Sequence, residues 1–135
     1  MKIASVRAIP LEAPFDPREM VTALGVRLKA ALVLVEIETD TGIVGYGEAL
    51  ARFSLRSYVG VIEDLLAPRL VGRDPFDVEA LWQDMFRVFS GRAGGIHMEA
   101  LAACDMAIWD VMGKSCGLPV HKLLGSSGRA RVKAY

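Results

Sequence analysis

The chain has 135 residues, enough for one domain with its own core and too few for most two-domain enzymes. Sixteen Lys and Arg balance sixteen Asp and Glu and the pI is near 6.7, which excludes the basic face of a dedicated nucleic-acid binder and removes the electrostatic draw to an anionic membrane surface. Although 53% of residues are hydrophobic, no run nears the roughly 18 apolar residues of a membrane span, and the first stretch, MKIASVRAIPLEAPF, lacks the apolar core of a signal peptide, which reads as a cytoplasmic protein whose surplus apolar surface meets a protein partner.

In chain order, residues 2–14 alternate loosely and run into a proline-rich APFDP, a strand leading to a loop. Residues 15–25, with Pro17 and Gly25, have no clear period and read as a mobile loop. ALVLVEIET follows as a strand, with Val33, Val35 and Ile37 on one face and Leu32, Leu34, Glu36 and Glu38 on the other. Asp40-Thr41-Gly42 makes a tight connection, and IVGYGEA returns as the next strand of a hairpin. The period then becomes helical. Ser54 is placed as an N-cap before Leu55, Val59, Ile62, Leu66 and Leu70, and Pro68 is expected to kink or end that helix near Ala67. Asp74-Pro75 reads as the start of a second helix, its stripe Val78, Leu81, Met85 and Phe89. SGRAGG at 90–95 breaks the chain before a third, largely apolar helix. Pro119 opens a last helical turn closed by Gly125, and RVKAY opens another strand. Strands first and helices after indicate an α+β domain, with a three-stranded antiparallel sheet beside a helical group.

The chemistry-bearing residues are sparse. GIVGYGEAL places Gly45 and Gly47 at two positions of a dinucleotide fingerprint, but Leu50 stands at the third and no helix follows directly. The two glycines instead allow another layer to approach the sheet closely. His97 and His121 have no ligand partners at metal spacing, and no HExxH or CxxC occurs. Ser54, Ser57, Ser90 and Ser115 lack a nucleophile elbow. Glu36, Glu38 and Glu48 are candidate acid/base carboxylates, with a solvated strand face as the commoner alternative. Cys104 and Cys116, about 18 Å apart on a straight helix, lie beyond the roughly 7 Å a disulfide spans and read as buried, reduced thiols.

Residues 103–125, ACDMAIWDVMGKSCGLPVHKLLG, make the third helix specific. Ala102-Ala103, Asp105-x-Ala107, Asp110, Gly113-Lys114, Pro119-Val120 and Leu123-Leu124-Gly125 resemble the signature of the mandelate racemase/muconate lactonizing enzyme family of the enolase superfamily. Cys104 and Ile108 depart from its usual choices while staying apolar. VEIETDTGIVGYGEA is similar to the family's N-terminal hairpin, and LVGRDPFDVEALW to its second-helix entry. The resemblance implies an N-terminal capping domain over 1–128, with 129–135 opening the first strand of a (β/α)7β barrel. It also implies removal of a proton α to a carboxylate, by a racemase, acid-sugar dehydratase or cycloisomerase, with Mg²⁺ stabilising the enediolate and a Lys or His base. Base and metal ligands sit on the barrel, and no position here corresponds to them, so the chain alone is expected to be inactive, with no catalytic or metal-binding residue. What the family implies for this domain is two loops closing over the barrel mouth, about Phe15 to Gly25 and Leu50 to Leu55, with Phe15, Met20, Arg52 and Phe53 as substrate contacts.

Two stripes on the third helix, Ala100, Ala103, Cys104, Ala107 and Val111 beside Leu101, Ile108 and Met112, suggest burial on two faces. One is expected to meet the domain's own helices, the other the barrel or a second subunit of a homo-oligomer. Asp105, Asp110 and Lys114 then need partners, and Asp110–Lys114 is an i,i+4 pair. The partners expected are the barrel and a small carboxylate substrate, with neither nucleic acid nor membrane. The alternative is a free-standing binding or assembly module without catalysis.

Overall fold

The computed structural model describes residues 1–14, 21–22, 25–26, 29–51, 54–89, 94–125, 131 and 133. Strand β1 (Ile3–Pro14) leads to a short ribbon, β2 (Val21–Thr22) paired with β3 (Gly25–Val26), and then to β4 (Lys29–Thr39) and β5 (Val44–Ala49). Strands β1, β4 and β5 form an antiparallel sheet in the order β1-β4-β5. The alternation seen in the sequence sets its faces. Val33, Val35, Ile37 and Thr39 are buried with Ala8, Gly45, Gly47 and Ala49, while Glu38, Tyr46 and Glu48 face solvent. Thr39 tolerates burial because its hydroxyl contacts Ile43 N and O at 3.1 Å each. Gly42 takes φ +80° in the hairpin turn, where a side chain would be strained.

The helices follow on one side of the sheet. Helix α1 (Leu55–Gly60) continues through a π-helical segment (Val61–Leu66) into α2 (Ala67–Leu70). Pro68 therefore does not end the helix near Ala67. Ala67 N–H reaches back to Ile62 O, one residue further than in an α-helix, and the widened turn admits the proline ring. Ser54 stands at the N-cap without a side-chain capping bond, its Oγ lying 2.8 Å from Ser57 Oγ instead. Asp74-Pro75 forms a turn rather than a helix start. Asp74 Oδ1 accepts the Phe76 N–H at 3.0 Å, and α3 (Val78–Phe86) begins after Asp77. Phe89 falls off the α3 stripe into a 3-10 turn (Arg87–Phe89) and is exposed.

Helix α4 (Gly95–Cys116) is the spine of the domain, followed by α5 (Val120–Leu123) after the left-handed Gly117 cap. It lies on β5 along one side and against α1, the π segment and α3 on others. A Cβ on Gly47 would stand 1.9 Å from Ala103 O, and one on Gly45 2.3 Å from Ala107 O, so the close approach read from these glycines is a backbone-to-backbone contact. Both stripes of α4 are buried within the domain, the second as fully as the first. The expectation that one needs the barrel or a second subunit is thus corrected, because sheet and helices clasp the helix from two sides. Cys104 is buried, but Cys116 is exposed at the helix end, against expectation, and both thiols are free. Among the described residues no helix is long and apolar enough to cross a membrane.

Gly47→Ala is expected to lower stability by about 3 kcal/mol, the upper range for overpacking, because its obstacle is a carbonyl that cannot change rotamer. Ala103→Gly should not rescue it, since the clash is with backbone. Denaturant titration of single and double variants checks this; rescue would show that the Ala103 methyl sets the spacing.

Candidate functional site

The sheet places the described flanks of both expected loops at one end. The last rung of β5 pairs Ala49 with Val33, itself opposite Pro10, while β1 and β4 continue together to Pro14 opposite Lys29. The β1–β4 arm thus overhangs the end from which the β5–α1 connection leaves. Helix α4 runs antiparallel to β5, since Gly47 meets Ala103 and Gly45 meets Ala107, so its N-terminus lies at this end too. Tyr58 ties the corner together: its hydroxyl donates to Glu99 and lies 3.5 Å from Leu50 O. Phe15, Met20, Arg52 and Phe53 themselves lie outside the described residues, as does most of 129–135.

The other candidates resolve into structural roles. Glu36 pairs with Arg7 across β1–β4, its Oε1 taking the Arg7 Nε–H at 2.9 Å, and this partner holds the guanidinium above its ordinary pKa. Glu38 and Glu48 are exposed on the same outer face, so no acid/base pair forms there. His97 is buried, with Nε2 3.0 Å from Met85 O and its ring edge-on to Phe89 at 4.8 Å. His121 is exposed in the last helical turn. Burial pushes the Cys104 thiol up to about 12, far from a reactive thiolate. Ser90 lies outside the described residues, and among those described no three His, Cys, Asp or Glu gather to hold a metal.

The polar residues of α4 have distinct tasks. Strand β5 is a sheet edge, and α4 caps it. Asp110 Oδ2 accepts the Tyr46 N–H at 2.9 Å, and Lys114 Nζ donates to Val44 O at 2.7 Å and to Asp110 Oδ2 at 2.6 Å. The Lys114 ammonium also lies 5.0 Å from the centre of the Tyr46 ring. The i,i+4 pair was legible in sequence, but its engagement with the strand edge was not. Asp105 is different. It is half-buried beside Glu79; burial first, then Glu79, push its carboxyl above the ordinary range, against an opposing influence of the Trp109 side chain.

Sequence reasoning also missed a third face of α4. Met106 is 45% exposed, and with Tyr46, Trp109, Val120 and Leu124 it walls a hollow of about 490 Å³. A neighbouring hollow of about 290 Å³, lined by Val78, Glu79, Trp82, Asp105 and Trp109, shares Asp105 and Trp109 with it. The available signal was that Met106 and Trp109 fall on neither buried stripe.

Residues 5–125 match the mandelate racemase / muconate lactonizing enzyme N-terminal domain. The chain is 43% identical over 103 residues to the D-mannonate dehydratase of Caulobacter vibrioides, covering 76% of this chain and 26% of that protein. It is 42% identical over 103 residues to a D-galactonate dehydratase of Xanthomonas campestris, covering 76% of this chain and 27% of that one. A solved enolase-superfamily member from Polaromonas sp. JS666 superposes on 96% of this chain and 34% of its own with TM-score 0.82 and 34% identity. The chain thus spans about a quarter of the length of the curated relatives it matches.

The two aspartates of α4 predict opposite outcomes. Asp110→Ala uncaps the β5 edge and should cost about 1.5–3 kcal/mol, the range for a hydrogen bond to a charged group. Asp105 has a folded pKa above its unfolded value, so its contribution is fully present at low pH and is lost as pH rises through the folded pKa. Asp105→Asn should therefore raise Tm at neutral pH and leave it unchanged below about pH 3.9, where both states are protonated. Thermal melts across pH check both; an Asp105→Asn variant less stable at neutral pH would contradict the assigned desolvation.

Proposed function

Because this chain belongs to the mandelate racemase/muconate lactonizing enzyme family, as its N-terminal domain, we propose that it is the capping domain of a Mg²⁺-dependent sugar-acid dehydratase. The observation that carries this reading is the convergence of the β1–β4 arm and the β5–α1 connection at one end of a rigid sheet. Relatives named for D-mannonate and D-galactonate supply the substrate class, a polyhydroxylated carboxylate. In this reading a proton α to the carboxylate is removed and Mg²⁺ supplies stabilisation of the enediolate, as in the family's racemases and cycloisomerases too. In this reading base and metal ligands belong to a C-terminal barrel that 129–135 begins, and the isolated chain is inactive.

The domain's own work is binding and water exclusion. Phe15, Met20 and Phe53 supply apolar cover, and Arg52 offers the planar fork that matches a carboxylate. Loop closure anchored on a rigid corner fits a lid that opens and shuts while the sheet stays fixed.

The test replaces the N-terminal quarter of the C. vibrioides enzyme with residues 1–125. The chimera should dehydrate a sugar acid, and Arg52→Ala within it should raise KM or lower kcat roughly tenfold or more, the scale of a lost charge-assisted bond, with Tm unchanged. A lower Tm with unchanged kinetics would make Arg52 structural. Separately, calorimetry on residues 1–135 should show no micromolar Mg²⁺ binding; such a site would place the metal in this domain.

A further inference from the structure

The third face of α4 has features that a purely structural surface lacks. Its apolar side chains are well exposed, Met106 at 45% and Leu124 at 63%, and they are continuous with Tyr46, Trp109 and Val120. At one end, in the adjoining hollow, two carboxylates sit among aromatic side chains. Burial first, then the Glu79 charge, raise the cost of ionising Asp105, and among the described residues no cation pairs with either carboxylate. Glu79 takes a neutral donor, the Gln83 amide at 3.1 Å, and Asp105 shares its hollow with the Trp109 indole. Trp82 and Trp109, the only tryptophans in the chain, both wall this hollow.

Indole faces attract cations, and carboxylates complete the match. A guanidinium suits the site best, since it is flat enough to lie on an indole and its paired N–H groups meet a carboxylate. The path of the chain says where such a group comes from. Leu124 lines the apolar hollow, the family domain ends at residue 125, and the relatives continue for most of their length beyond it. In the capping reading, the next domain starts beside this surface. A second copy of the chain fits worse: two-fold pairing centred on Asp105 sets carboxylates against carboxylates.

We propose that the groove from Trp82 to Leu124 is the seat of the C-terminal domain, and that its Trp82–Glu79–Asp105–Trp109 end receives one arginine side chain from that domain. This rests on the capping reading above, which supplies the C-terminal domain; the groove and the cation seat are the addition.

Two measurements test it. In the 135-residue chain, the two indole N–H resonances report on the seat without further labels. N-acetyl-argininamide should shift both saturably, and its neutral isostere N-acetyl-citrullinamide should bind about tenfold more weakly, as should the arginine probe to Asp105→Asn. Equal response to both probes overturns the cation seat. In the chimera with the C. vibrioides barrel, unfolding should be a single transition that Met106→Glu and Leu124→Glu each split in two, while neither moves the Tm of the 135-residue chain. One transition in all variants of an active chimera overturns the groove and leaves the capping function standing. An inactive chimera that melts in two steps overturns the capping reading itself. Sedimentation showing a dimer of the 135-residue chain that Met106→Glu dissociates would assign the groove to a second copy and overturn the proposal.

Discussion

The contact on which the domain depends is that of β5 with α4, made at backbone distance. Gly45 and Gly47 remove side chains that would stand between strand and helix, and Ala103 and Ala107 keep the helix surface low opposite them. At this spacing an edge strand can be covered by a helix with no gap for water. It also brings Asp110 and Lys114 within reach of the Tyr46 N–H and the Val44 carbonyl, groups a sheet edge otherwise leaves open to another chain. Packing and edge protection thus rest on the same close spacing.

That arrangement divides the labour among polar residues five apart on one helix. Asp110 stabilises because its oxygen meets an N–H and an ammonium. Asp105 lies half-buried near another carboxylate, and its ionised form is costly in the folded chain. A folded domain that retains a destabilising carboxylate in a groove walled by aromatic and apolar side chains has a surface suited to a cation, and among the described residues none pairs with it. Asp105 differs here from Glu36, whose charge is matched by Arg7 within the sheet.

Much of this fold was legible because its periods are strong. The alternation of Val33, Val35 and Ile37 gives the buried face of β4 directly, Gly42 marks the turn, and paired glycines in a strand that no fingerprint explains point to a close neighbour. Local signals misled where tertiary structure outweighed them. Pro68 is absorbed by a π turn, and Asp74-Pro75 builds an Asx turn because its carboxylate takes the nearby Phe76 N–H. The partner of each α4 face was not readable, since both stripes are equally apolar and only the three-dimensional arrangement says that sheet and helices take both. The groove was still less visible, being assembled from β5, α3, α4 and α5 around residues that look like isolated exposed apolars in sequence. The loop contacts came from family resemblance alone, because Phe15, Met20, Arg52 and Phe53 form no pattern that physical chemistry distinguishes from an ordinary loop.

Helix α4 joins the two functional regions, and its stiffness gives the groove a consequence at the loops. Asp105 lies ten residues from Gly95, about 15 Å along the axis, and Gly95 stands at the loop end. A tilt of about 5° at the groove would move that end by roughly 1.3 Å, and misplacements near 1 Å are enough to cost on the order of 100-fold in catalysis. An apolar seat alone resists separation but permits sliding and tilt, whereas a guanidinium held by carboxylates and indoles adds a directional bond that resists both. On the proposed reading, a bond at mid-helix holds in place the corner from which the capping loops leave. A cation seat far from the proposed substrate site would then serve to aim those loops.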